Sequence, residues 1–387
     1  MSRLLTGIAV ALALATVIGL VVLWPGDVAA PLAGGLNTTS ESAEVLAVEE
    51  TFCPGFGDRR CQAVTMRLTS GPDEGRQVEL RLGATGLIDP DVDPGDKIKV
   101  SETPDPPGGA APLVGGEYAL TDFQRGTPMF VLVLMFVAVT LLFARLRGAL
   151  SLVGLAGSLA LVMLFVVPAI LDGKSPLAVA VVGSLAVALV TIPLAHGGGP
   201  KSIAALLGTA SSLLLTALLA SVFTEAAHLT GFSSDEAGYL QLAGADISLD
   251  GLLLAGMVIA ALGVLDDVTV SQASTVMALR GANQTLGFGE LFARAMRVGR
   301  DHVSATVNTL VLAYVGASLP VLLIFSSADL GLGDTLELEV VAAEVVATLV
   351  GSIGLIAAVP VTTALAAALA LAEPAERLAG AEQGHAH

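Results

Sequence analysis

The run Leu150–Leu171, LSLVGLAGSLALVMLFVVPAIL, contains no charged residue. Wound as an α-helix it is about 33 Å long, enough to cross the ~30 Å hydrocarbon core of a bilayer. Comparable runs recur at Leu4–Trp24, Met129–Phe143, Leu177–Leu194, Ile203–Phe223, Gly251–Val270, Val303–Phe325 and Val340–Leu371. Together they predict a membrane all-α bundle of about eight transmembrane helices. Composition agrees, since 54% of residues are hydrophobic and only 14% are charged, against about 25% charged in soluble domains.

Only 4% of the residues are aromatic, while glycine alone contributes 43. Small side chains let helices approach closely in lipid, where no hydrophobic force drives them together, so this bias suits a compact bundle. The net charge of −17 argues against nucleic acid as a partner, because phosphate contacts require basic patches. The bilayer is the partner that the composition does predict. After a lone Arg3, the first run reads as a retained anchor over residues 1–25. A cleavable signal peptide is the rival, with Val28-Ala29-Ala30 as its cleavage site, but the run exceeds a signal core of ~7–15 residues and Pro31 follows at once.

Residues 37–125 differ in character. Ala43–Glu50, Ala63–Thr69, Gln77–Leu82 and Lys97–Ser101 read as short strands between turns such as Ser70-Gly71-Pro72-Asp73 and Asp93-Pro94-Gly95-Asp96. A small β domain is expected, an OB-like barrel first and a sandwich second. Asp89, Asp91 and Asp93 fail as an EF-hand loop, because Pro94 takes the glycine position and Val100 the closing glutamate position, so they read as a solvated turn. Thr103–Gly116 reads as a linker. Cys53 and Cys61 lie in this domain, and on an oxidising side of the membrane they are expected to form a disulfide. Two free thiols or half of a metal site are the alternatives, but no neighbouring Cys or His completes a zinc set. No metal and no cofactor is expected.

Lysine and arginine in short loops set orientation, since cytoplasmic loops hold the excess. With the N-terminus inside, Arg145, Arg147, Lys201, Arg280, Arg294, Arg297, Arg300 and Arg377 fall on one side, and only Lys174 falls in the short outer loops. Both termini are therefore expected in the cytoplasm, residues 37–125 outside, a seven-helix bundle over 126–372 and a cytoplasmic tail over 373–387. Residues 279–302 read as a basic cytoplasmic loop with a short amphipathic helix near Glu290–Arg297.

An ionisable residue within a span is costly, and so is a functional candidate. Gly256, Ala260, Gly263, Asp267, Ser271 and Ser274 share one face of the sixth helix. At ~1.5 Å per residue, Asp267 lies roughly 24 Å below Gly251, in the inner third of the core. Asp301, Ser304 and Asn308 form a second polar face on the following helix, with Asn308 at a depth comparable to Asp267. Three readings stay open: an ion- or proton-coupled site on facing stripes; interhelical hydrogen bonds of about 0.6 kcal/mol each without traffic; or Asp266 and Asp267 already among the headgroups. Glu344 stands near the outer end of the last span, and Pro360 should kink that span, with Thr362 and Thr363 available to resatisfy the freed backbone.

Several stretches together resemble one family. They are Glu290-Leu291-Phe292, Gly299-Arg300-Asp301-His302, and Asn308-Thr309-Leu310-Val311-Leu312-Ala313-Tyr314-Val315-Gly316-Ala317-Ser318-Leu319-Pro320. Leu262–Val268 upstream and Leu349–Leu355 with Val359–Thr362 downstream support them, and Tyr118, Asp122 and Arg125 also fit. Together these are similar to the YibE/F family of bacterial membrane proteins, over roughly residues 120 to 371. The resemblance implies a plasma-membrane protein with a pore- or carrier-like bundle. The doublet departs from the family, in which the residue before the aspartate is often uncharged, so Asp267 is the position carried over.

The leading expectation is a transporter or channel-like protein for a small solute or ion, with Asp267 and Asn308 at the site. The alternative is a non-transporting scaffold whose outer domain binds a partner or envelope component; a homo-oligomer fits either. An enzyme is not expected: adjacent Asp266 and Asp267 point ~100° apart, and neither an HExxH nor a GxSxG motif is present.

Overall fold

A computed structural model of the chain describes residues 2–26, 40–52, 60–83, 91–103, 117–233, 235–242, 247–327 and 331–372. It divides into two compact units, Ala33–Leu142, and Met1–Leu32 with Phe143–His387.

The first unit holds one antiparallel sheet of β1 (Ser40–Phe52), β2 (Arg60–Leu68), β3 (Gln77–Leu82), β4 (Lys97–Glu102) and β5 (Tyr118–Phe123), in the order β3-β2-β1-β4-β5. β1 is long enough to serve two neighbours, pairing with β2 over Ala43–Phe52 and with β4 over Ser40–Glu44. The pleat sends alternate side chains to one face. Val78, Leu80 and Leu82 of β3 and Ile98 and Val100 of β4 accordingly close over Val64, Met66 and Leu68. The turn at Asp93–Asp96 is solvated as expected, with Asp91 and Asp93 exposed and Gly95 at φ +97°, a conformation that favours glycine. Asp89, Cys53 and residues 104–116 of the expected linker lie outside the described residues. Cys61 is buried on β2, opposite Thr51 of β1.

The fifth strand is an addition to the four expected. Only Tyr118 and Leu120 alternate as buried and half-buried apolar positions in it, so period-two patterning is too brief to mark a strand after a Pro/Gly-rich segment. At its start, Glu117 receives both Arg76 Nη atoms (2.6 and 3.0 Å) from the residue preceding β3. Arg76 also donates to Asp73 at 2.8 Å.

The helical part comprises α1 (Ser2–Val22), α2 (Gly126–Leu161), α3 (Val167–Leu171), α4 (Pro176–His196), α5 (Pro200–Ala226), α6 (Asp235–Leu242), α7 (Leu249–Ala282), α8 (Phe288–Ala317), α9 (Leu319–Ser327), α10 (Leu332–Glu337) and α11 (Glu339–Ala372). A single π-helical turn, Val162–Val166, joins α2 to α3. Among the described residues, 6 helices are long and apolar enough to cross a membrane, or 7 if α8 and α9 form one span.

Two stretches run together elements expected apart. Met129–Phe143 and Leu150–Leu171 fall in one stretch, Gly126–Leu171, within which two helices meet at a break on Arg145, whose φ of 49° and ψ of −127° are non-helical. The amphipathic helix near Glu290–Arg297 and the following span are one helix, α8, which then bends by 59° into α9. Pro320 explains the bend: it has no N–H to continue the ladder, and helical bonding resumes with Leu322 N–H donating to Ser318.

At the centre of the helical unit α5, α7 and α11 pack on one another through small residues. Gly208 of α5 faces Thr362 of α11, and Gly354 of α11 faces Thr216 of α5. Thr209 and Thr269, both fully buried, share a hydroxyl hydrogen bond of 2.7 Å between α5 and α7. Gln272 of α7, 4% exposed, donates to Ala295 O (3.1 Å) on α8 and Thr363 Oγ1 (2.7 Å) on α11. Gly299 of α8 leaves no room for a Cβ beside Gln272 and Val359. α1 joins this unit by setting Gly19 against Val182, and just beyond its end the Trp24 ring lies tilted at 31° to Phe165, with ring centroids 5.8 Å apart.

Candidate functional site

α7 carries the aspartate doublet in its middle third. The face that includes Ala261, Leu265, Val268, Thr269 and Gln272 is buried against α5 and α11. The face predicted as small and polar looks the other way: Gly256, Ala260, Gly263 and Asp267 are exposed, and Ser271 and Ser274 are half-buried. One step of ~100° round the helix puts Asp266 between these faces, half-buried and turned toward α4.

There a cavity of about 480 Å³ opens between α2, α4 and α7. Asp266 and Asp267 line it, with Ser158 from α2 and Ser184, Thr191 and His196 from α4. Asp266 Oδ2 lies 3.4 Å from Thr191 Oγ1. Its Oδ1 is buried and has no hydrogen-bond partner among the described residues, and neither has the buried Ser184 Oγ. The π-helical turn forms part of the same wall through Val162 and Val166. Such turns insert one residue into an α-helix and recur at functional sites.

The other predicted residues are dispersed. Asp301, Ser304 and Asn308 lie on an exposed face of α8, and none of them lines the cavity. Asn308 makes no side-chain hydrogen bond among the described residues, while Ser304 donates to Arg300 O at 3.0 Å on its own helix. The expected meeting of Asp267 and Asn308 is therefore not seen in one chain. Ser271 donates to Val268 O at 3.0 Å. Glu344 is half-buried on α11, within electrostatic reach of Tyr314 on α8.

α11 runs from Glu339 to Ala372 with Pro360 inside it. Thr362 and Thr363 do not repair the carbonyl of Ile356 that Pro360 leaves unbonded. Thr363 donates to Val359 O at 2.6 Å, and Thr362 Oγ1 is buried without a partner.

Sequence reasoning passed over Ser158, Ser184 and Thr191. Ser184 and Thr191 are seven positions apart on α4, two turns along one face, and that spacing within an apolar run was the available signal.

Residues 132–371 match the family described as YibE/F-like protein. No curated protein and no solved structure matches the chain. The matched segment contains the aspartate doublet, the α4 hydroxyls and the Gly299–Pro320 stretch, and it spans well over half of the sequence, so the chain belongs to the YibE/F-like protein family.

Proposed function

We propose that the chain is a transporter or channel-like protein of the bacterial plasma membrane, passing a small solute or ion through the cleft between α2, α4 and α7. One observation carries the reading. A carboxylate in the interior of a spanning helix faces a cavity with one oxygen buried and unpartnered. Such a group is expensive in a membrane and is retained where it meets traffic. Asp266 is the central residue in this reading, Asp267 stands at the rim, and Asn308 has no part in it.

The same reading takes the break at Arg145 as the boundary between two crossings. This gives eight spans, both termini in the cytoplasm and the β unit outside. The strand order and the Arg76–Glu117 ion pair near the two edge strands support an OB-like barrel closed between β3 and β5. An outer location also favours a Cys53–Cys61 disulfide, to be checked as a mass gain of the alkylated chain only after reduction.

Flux into proteoliposomes tests the central claim. With a panel of alkali cations, protons and small solutes, the wild type should conduct at least one, Asp267→Asn should retain much of that flux, and Asp266→Asn should lose it. Equal flux through wild type and Asp266→Asn for every solute would remove the transport reading.

A further inference from the structure

The polar face of α8 is part of a longer pattern. Asp301, Ser304, Asn308, Val311 and Val315 are spaced alternately three and four residues apart, as the a and d positions of a heptad repeat are, and all five are exposed. Asn308 lies within the uncharged run 303–325, roughly 10 Å along the helix from Asp301, in a helix that passes as one span together with α9. A side-chain amide has two protons to donate and two lone pairs to fill, and acyl chains offer it nothing. Among the described residues the Asn308 side chain makes no hydrogen bond, and Ser304 donates only within its own helix. Lipid cannot complete such a face.

We propose that α8 pairs in parallel with α8 of a second copy of this chain, with Asn308 hydrogen-bonded to its own counterpart. Three features choose this occupant. Copies of one membrane protein insert the same way round, so their α8 helices run parallel, and in a parallel heptad pair each a position meets itself. An amide is complementary to a copy of itself, donor to carbonyl, and a single asparagine at an a position is a known device for fixing register. The charges also match. An a-position side chain enters a hole bordered by the preceding d and g residues of the facing helix. For Asp301 these are the second copy's Arg297 and Arg300; all three residues are exposed, and none forms an ion pair among the described residues. Residues 126–142 make a poorer occupant, because their polar side chains are Thr127 and Thr140, and Thr140 already donates to Phe136 O at 2.8 Å. The pairing stands whether or not the cleft between α2, α4 and α7 conducts.

The test is a cysteine scan of α8 in the full chain in lipid vesicles, in a Cys53→Ser/Cys61→Ser background, with oxidation and detection of covalent dimer. Ser304→Cys, Asn308→Cys and Val311→Cys should cross-link most, and Thr306→Cys and Leu310→Cys, on the opposite side of the helix, least. Cross-linking that is absent, uniform along the helix or strongest at 306 and 310 would overturn the proposal. So would a bond within one chain between Asn308→Cys and Thr140→Cys, which would give the face to α2. Energy transfer between labelled copies, measured against protein dilution in lipid with the native cysteines in place, reads the amide separately. Asn308→Leu should weaken association on the order of 10-fold, and Asn308→Gln, which keeps an amide, should stay within a few-fold of wild type. Equal association by Asn308→Leu and wild type, or no transfer at any dilution, would refute the pairing.

Discussion

Replacing Gly208 by alanine gives a sharp reading of how α5 and α11 meet. In an exposed helix interior this change gains about 1 kcal/mol of helix propensity. At Gly208 the new Cβ would overlap Thr362 Oγ1 and come within 3.0 Å of Thr362 Cβ and 3.3 Å of its Cγ2. Thr362 is fully buried, so it has nowhere to turn. Overpacking of this kind costs about 1–3 kcal/mol, which cancels or exceeds the propensity gain. The net expectation is a loss of up to about 2 kcal/mol, a fall in melting temperature of several degrees for a unit of this size.

Thr362→Ala should be close to neutral, because the hydroxyl it removes is buried without a partner and so contributes no hydrogen bond. The pair Gly208→Ala/Thr362→Ala should recover most of the lost stability, a coupling that a double-mutant cycle measures directly. Gly256→Ala on α7, where nothing lies within 4 Å of the added carbon, is the control and should be neutral or stabilising. Thermal unfolding of the full chain in detergent, followed by tryptophan-independent light scattering and far-UV dichroism, is the assay. If Gly208→Ala is as stable as Gly256→Ala, or if removing Thr362 does not rescue it, the two helices do not touch at this level.

Two further expectations concern other contacts. Gln272→Leu leaves the Ala295 carbonyl and Thr363 hydroxyl without their donor and should destabilise the helical unit by about 1 kcal/mol, within the range for interhelical hydrogen bonds; an unchanged melting temperature would refute that role. On β5, the Asp122 carboxylate accepts from the Phe123 N–H (2.8 Å) and from Arg125 (2.6 Å), which hold its pKa below the usual carboxylate range, the backbone donor foremost. A depressed value means stability present above the unfolded pKa of about 3.9 and lost as pH falls through the lower folded one. Carbon NMR of the Asp122 carboxyl should show a midpoint below about 3.9, and Arg125→Gln should raise it only partway; a midpoint at the ordinary value would contradict the contacts.

The apolar runs made the spanning helices legible, because a run long enough to cross lipid has few other uses. Their ends were less so. The Arg145-Leu146-Arg147 stretch reads as a loop by charge, and helical geometry does break at Arg145, whereas Arg294, Arg297 and Arg300 are carried through α8 without a break, so charge alone does not tell a helix end from a helix interior. Choosing between Asp266 and Asp267 depended on which neighbour covers each face of α7. Periodicity gives the angle between two faces but not the partner across either, and the small polar face turned out to be the open one. The family pattern pointed to the second aspartate; packing against α4 singles out the first. The hydroxyls of α4 escaped notice because serine and threonine are cheap in a spanning helix when they bond their own backbone, and only the approach of Asp266 gives that habit a chemical meaning.

The facing pairs Gly208–Thr362 and Thr216–Gly354 lie eight residues apart on each helix and in opposite senses along the two chains. They act as two clasps on antiparallel rods, and sliding either rod by one turn, about 5.4 Å, would unfasten both at once. This fixes α5 and α11 as a stationary post. On the transport reading proposed above, the part left free to move is the α2 wall of the cleft, where the π-helical turn interrupts regular α-helical bonding.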